Sequence, residues 1–116
     1  MSVIIYHNPR CSKSRETLKL LQDQNINAEI VLYLEKRFSV SELQSLMKKL
    51  NIHSPKEMMR IKDALYQELQ LNNEHISEQE LLEAIGNHPA LLERPIVING
   101  DKAKIGRPPE AVLSIL

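Results

Sequence analysis

The residues that could do chemistry sit together in Tyr6-His7-Asn8-Pro9-Arg10-Cys11-Ser12-Lys13-Ser14-Arg15, which holds the only cysteine of the 116-residue chain. A thiol acts as a nucleophile when ionised, so the question for Cys11 is what would favour the thiolate. Val3, Ile4 and Ile5 read as a short buried strand, and Leu18 and Leu21, flanked by Leu20, as the apolar side of a helix beginning near Cys11 or Ser12. Cys11 is therefore predicted at or near a helix N-terminus. Unpaired N–H groups and the positive end of the helix dipole favour an anion there, whether a thiolate or a bound oxyanion. Arg10, Lys13, Arg15 and His7 are expected to add positive charge. The competing reading is a small buried hydrophobe, but a core thiol has no need of three cations within four positions.

Other chemistries fit the residues less well. A tyrosine-phosphatase loop requires an arginine where this chain has Thr17, and Arg15 comes too early. No Gly-rich phosphate loop is present. The position three after Cys11 is Ser14, so a dithiol cycle within the chain is unavailable and a resolving thiol must come from outside. No metal site is expected, because His53, His75 and His88 are scattered and read as surface residues. The pairs Glu78 with Glu80 and Glu42 with Glu57 read as solvated helix faces.

These residues need a scaffold, and composition bounds it. With 42% hydrophobic residues and formal net charge zero, residues 1–116 read as a single domain able to bury a core. No global field would recruit nucleic acid or an anionic membrane. A lone cysteine, no leader-like apolar segment and no membrane-length run point to a reducing cytoplasm.

Along the chain, Ala28 to Leu34 reads as a second buried strand, parallel to the first in a βαβ unit. Ser39 with Glu42 forms a capping box ahead of Leu43, Leu46, Met47 and Leu50. Ser54-Pro55-Lys56-Glu57 predicts another helix, carrying Met58, Met59, Ile61 and Leu65, and Ser77 with Glu80 a third before Leu81, Leu82 and Ile85. Pro95 to Ile98, the Asn99-Gly100-Asp101 turn and Lys102 to Arg107 read as a hairpin. Pro108 and Pro109 open a final helix burying Ala111, Val112, Ile115 and Leu116. The expected class is α/β: a thioredoxin-like fold whose four-stranded mixed sheet carries a helical insertion between a βαβ half and a ββα half.

The chain resembles the ArsC-type arsenate reductases that couple to glutathione and glutaredoxin, including their short YfgD-like relatives. The resemblance spans essentially the whole chain. It rests on Tyr6 to Cys11 with Ser14-Arg15, on Val31-Leu32-Tyr33-Leu34-Glu35, on Arg60, on Glu93-Arg94-Pro95-Ile96-Val97, and on Gly106-Arg107-Pro108-Pro109-Glu110. It implies Cys11 as nucleophile, His7 as the histidine lowering the thiol pKa, Arg60, Arg94 and Arg107 as oxyanion-binding arginines, and Pro95 as a structural cis-proline. Ser14, one turn along, is expected to hydrogen-bond the thiolate. The residues alone place Arg60 on a charged, solvated helical surface and leave Arg94 and Arg107 open between surface and site, although guanidinium forks suit a tetrahedral oxyanion. The activity implied is reduction of arsenate to arsenite through an arsenic–Cys11 adduct, with no bound cofactor, glutathione as co-substrate and glutaredoxin as partner. Two other classes share the fold: a thiol oxidoreductase acting on glutathionylated substrates, and an Spx-like regulatory protein binding RNA polymerase. The second typically has a further cysteine where this chain has Ser14.

Overall fold

A computed structural model describes residues 2–116. The sheet is built from β1 (Val3–Tyr6), β2 (Glu29–Val31), β3 (Ile96–Asn99) and β4 (Lys102–Ile105) in the order β2-β1-β3-β4. β1 pairs parallel with β2 across α1 (Ser12–Asp23) and antiparallel with β3, which pairs antiparallel with β4. Between the halves lie α2 (Val40–Leu50), the short α3 (Ala64–Glu68) and α4 (Glu78–Asn87). This is the expected thioredoxin-like arrangement.

Alternation along the strands assigns each face its cover. Val3 and Ile5 of β1 and Val97 of β3 join Leu21 of α1 and Val112 in one cluster. Ile96, Ile98 and Ala103 join Leu43, Leu46, Met47, Leu82 and Ile85 in the other, with Ile4 and Tyr6 packed against it. The sheet is thus sandwiched between α1 with the C-terminal turn and the helical insertion.

The local signals for α2 and α4 act as read. Ser39 accepts from the Glu42 amide and Glu42 bonds back to the Ser39 amide, at 3.1 and 3.0 Å; Ser77 and Glu80 do the same. The box at Ser54 and Glu57 also forms, but the helix it opens is a single 3-10 turn, Pro55–Met58. Met59 turns to extended backbone and pairs with Leu92, while Arg60 N donates to Leu91 O and Glu93 N to Met58 O. That pairing competes with helix propagation and wins, so Ile61 stays exposed and only α3 resumes the helix.

Three further expectations are corrected. β2 is an exposed three-residue edge strand, not a buried one reaching Leu34; Ile30, Leu32 and Leu34 are exposed. The core beneath α1 is built on β1 and β3, and a strand paired on one side only lies beyond its cover. In the hairpin, Asn99 ends β3 opposite Lys102, leaving Gly100 and Asp101 as the loop. The last helix is a 3-10 segment, Pro109–Ile115, that buries Val112 fully while Leu116 lies beyond it, exposed. Asn99 Nδ2 ties the hairpin to this segment by donating to Ile115 O at 2.6 Å.

The insertion is locked where α4 meets the segment before α2. Phe38 N donates to Gly86 O, and a Cβ at Gly86 would overlap the Phe38 carbonyl oxygen. Backbone on both sides leaves little room to yield. Gly86→Ala is expected to destabilise the fold by about 1–3 kcal/mol, the usual range for overpacking, read as a lower urea midpoint with an unchanged slope.

Candidate active site

The turn between β1 and α1 is stitched by its own residues. Asn8 and Pro9 supply turn chemistry: Cys11 N donates to Asn8 O at 3.0 Å, and Arg10 N to Asn8 Oδ1 at 3.0 Å. Cys11 is the N-cap of α1, with extended backbone at φ −96° and ψ 123°. Its side chain makes no capping hydrogen bond, but its sulfur stands at the helix end where a serine or aspartate oxygen would receive the free amides of the first turn. Burial alone would raise the pKa of this thiol; the Ser14 amide, the Arg94 guanidinium and the Lys13 amide outweigh it and hold the pKa below the ordinary value.

The cations adjacent in sequence do little of this. Lys13 pairs with Glu16 at 3.5 Å, and Arg15 turns back to donate to Pro9 O at 2.9 Å. Arg10 is exposed. The guanidiniums at the thiol come instead from the far end of the chain. Arg107 Nη2 stands 3.8 Å from Cys11 Sγ while its Nε donates to Arg94 O at 2.9 Å. Arg94 precedes a cis peptide bond to Pro95, and Arg107 one to Pro108.

Arg60 is not on a helical surface. The Met59–Leu92 pairing carries it to the site's edge, where it bonds Asp63 at 2.6 Å and approaches Glu93 at 3.5 Å. Asp63 is the main cause of its raised pKa, and Cys11 the smallest of several. Glu93 also lies 3.9 Å from Arg107 Nε, so one carboxylate stands between two arginines. An open cleft of about 340 Å³ runs among Arg60, Asp63, Glu93 and Arg107.

His7 and Ser14 sit together beside the thiol turn. His7 is buried, and burial, then the charge of Arg15, lowers its pKa and so disfavours the charged imidazolium. Its Nδ1 lies 2.6 Å from Ser14 Oγ. Ser14 is fully buried, and its hydroxyl also accepts from Asn8 N at 3.0 Å. The hydroxyl thus fastens the turn, and it is the Ser14 amide that addresses the sulfur. His53, His75 and His88 are exposed.

Gly106 carried no role in the sequence reading. A Cβ there would lie 2.7 Å from Thr17 Oγ1 and 2.9 Å from Pro95 Cγ, and Gly106 N donates to Pro95 O at 2.9 Å. Only a residue without a side chain lets the end of β4 lean against α1 and deliver Arg107 over the thiol. Its position just before Arg107 was the available signal.

The lowered thiol pKa makes stability depend on pH. Folded protein binds the thiol proton less tightly than the unfolded chain, where the group titrates at about 8.5. Stability from this source is full above that value and is lost as pH falls through the folded pKa. In reducing buffer, the stability advantage of the unaltered chain over Cys11→Ser is expected to grow from pH 6 to pH 9, measured by urea unfolding. A difference that does not move with pH would mean that the helix end and Arg94 do not act on the sulfur.

The chain is 65% identical to a protein named arsenate reductase from Haemophilus influenzae, over the full length of both. It is 52% identical to YfgD of Escherichia coli, covering 98% of this chain and 96% of that one. The solved structure of an arsenate reductase from Vibrio cholerae superposes with a TM-score of 0.97 at 51% identity, covering 100% of this chain and 98% of the other. A model of the ArsC family matches residues 6–115, and with relatives this similar from end to end, the chain belongs to the ArsC family.

Proposed function

We propose that the protein is an arsenate reductase working through a covalent arsenic–Cys11 adduct. The observation that carries this reading is a thiol of lowered pKa at the N-terminus of α1 with the Arg94 and Arg107 guanidiniums against it. An oxyanion over that helix end meets paired donors, and a nucleophile lies directly beneath. The names borne by relatives similar over the whole chain support arsenate as the anion.

The Cys11 thiolate attacks arsenic(V); an S–As bond forms and one arsenic oxygen leaves as water after taking up protons. Arg94 and Arg107 hold the remaining oxygens and their charge, while Arg60 closes the rim from its place on Asp63 and Glu93. His7 and Ser14 serve by fixing the turn that presents the sulfur, and Pro95 by shaping the segment that carries Arg94. The thiolate of glutathione then attacks the Cys11 sulfur, and the S–As bonding pair passes to arsenic. Arsenic falls from +5 to +3 and leaves as arsenite, and the two sulfurs are oxidised to a mixed disulfide. The chain has no second thiol, so glutaredoxin releases Cys11 by thiol exchange. A glutathione-rich reducing compartment, the cytoplasm, suits this cycle.

The test is arsenate reduction with glutathione and glutaredoxin supplied. Cys11→Ser is expected to fold and to lose all turnover. Each lost charge-assisted hydrogen bond is worth about 1.5–3 kcal/mol, so Arg94→Ala and Arg107→Ala are expected to weaken arsenate binding on the order of tenfold or more. Arg60→Ala should weaken it less, because its guanidinium already has carboxylate partners. Turnover surviving Cys11→Ser, or unchanged arsenate affinity in both the Arg94 and Arg107 variants, would overturn the assignment.

A further inference from the structure

Two buried side-chain polar atoms among the described residues have no hydrogen-bond partner, the Tyr33 hydroxyl and Arg94 Nε. Both belong to the same place. Tyr33 opens the 3-10 turn Tyr33–Glu35 just past β2, is 1% exposed, and stacks its ring on Tyr6 with centroids 6.4 Å apart and planes 23° from parallel. Tyr6 is the last residue of β1 and precedes His7, so the phenol is braced on the strand that leads into the thiol turn.

Burial is the main cause of a raised Tyr33 pKa, which keeps the phenol protonated. Of the charges it feels, Arg94 acts most strongly, then Cys11, then Arg60. The hydroxyl therefore lies amid the groups that would surround an oxyanion, close enough to the Arg94 guanidinium for it to act on the phenol as a donor as well as by its charge, yet with no partner of good hydrogen-bond geometry. Packing does not require it, since a phenyl ring would fill the same space and stack on Tyr6 equally well. An unpartnered hydroxyl in a dry interior works against stability. The chemistry of the two orphans is complementary: Nε–H can only donate, and a phenol oxygen accepts while keeping its own proton.

We propose that Tyr33 is a positioning residue for the oxyanion site: when an oxyanion sits over Cys11, the Tyr33 hydroxyl accepts from Arg94 Nε–H and fixes that guanidinium with its terminal nitrogens toward the anion. Without the anion neither atom has a partner of good geometry, and the anion, by drawing in the terminal nitrogens, brings the pair into line. Tyr33 thus acts through Arg94 and need not touch the anion itself. The inference rests on reading the site as an oxyanion site.

Tyr33→Phe removes the hydroxyl alone. Binding is read as protection of Cys11 from iodoacetamide by arsenate, phosphate and sulfate, alongside KM and kcat for arsenate and the melting temperature. Tyr33→Phe is expected to melt no lower than the unaltered chain. Its protecting concentration of arsenate and its KM should each rise about tenfold, the scale of one hydrogen bond to a charged group, with kcat changed far less. Because the hydroxyl works through Arg94, the double variant Tyr33→Phe/Arg94→Ala should bind no more weakly than Arg94→Ala alone. Unchanged protection and KM in Tyr33→Phe, a full additional loss in the double variant, or a Tyr33→Phe chain that no longer folds would each overturn the proposal. Absence of protection by all three anions in the unaltered chain would overturn it together with the oxyanion reading. Protection without arsenate turnover would sink the reductase assignment alone and leave the Tyr33 comparison in force.

Discussion

Everything in the site depends on the free amides at the start of α1 having sulfur where most helices have oxygen. A helix leaves its first N–H groups without partners, and a serine or aspartate oxygen at the N-cap ordinarily receives them. A thiol does this poorly until it is ionised: Cys11 makes no side-chain cap bond, and the amides left open at the helix end favour the thiolate. Structure and reactivity are joined at one atom, Cys11 Sγ. The turn before it is held by bonds that leave that atom free: Asn8 closes the turn with its carbonyl and side chain, and the buried Ser14 hydroxyl ties His7 and the Asn8 amide to the helix.

The cations show why proximity along the chain misleads. Lys13 and Arg15, close in sequence, find partners of their own in Glu16 and the Pro9 carbonyl and leave the thiol alone. Arg94 and Arg107 come from either end of the β3–β4 hairpin and meet at the sulfur because the antiparallel pairing brings those ends together. Three guanidiniums close to one another would repel, and Glu93, near both Arg60 and Arg107, with Asp63 on Arg60, offsets that repulsion. The site holds positive charge at the thiol with acidic partners on its outer side.

His7 illustrates a second kind of indirect action. A charged imidazole would lower the thiol pKa through space, but burial disfavours the charged form, and the ring is engaged with the Ser14 hydroxyl. Its contribution is geometric. The glycine at 106 is likewise silent in chemistry and decisive in placement, since the contact of β4 with Thr17 and Pro95 has no space for a side chain.

What the sequence determined by itself was the set of features whose physics is local. The capping boxes at Ser39 and Ser77 fixed α2 and α4, short continuous apolar runs marked β1 and β3, and Cys11 at a strand-to-helix junction located the nucleophile, because each signal needs only residues within a few positions. The resemblance added Arg60, Arg94 and Arg107 from motifs that no spacing rule would have joined. Tertiary structure alone decided what depends on distant partners. The Ser54 box formed, yet its helix stopped after one turn because Met59 paired with Leu92. The apolar run around Ile30 became an exposed edge because nothing packs over it. The lowered pKa of His7, the neighbours of Arg60 and the burial of the Tyr33 hydroxyl follow from packing in the folded chain. Local sequence carries hydrogen bonds between near neighbours, whereas burial and charge are properties of whatever the folded chain brings from elsewhere.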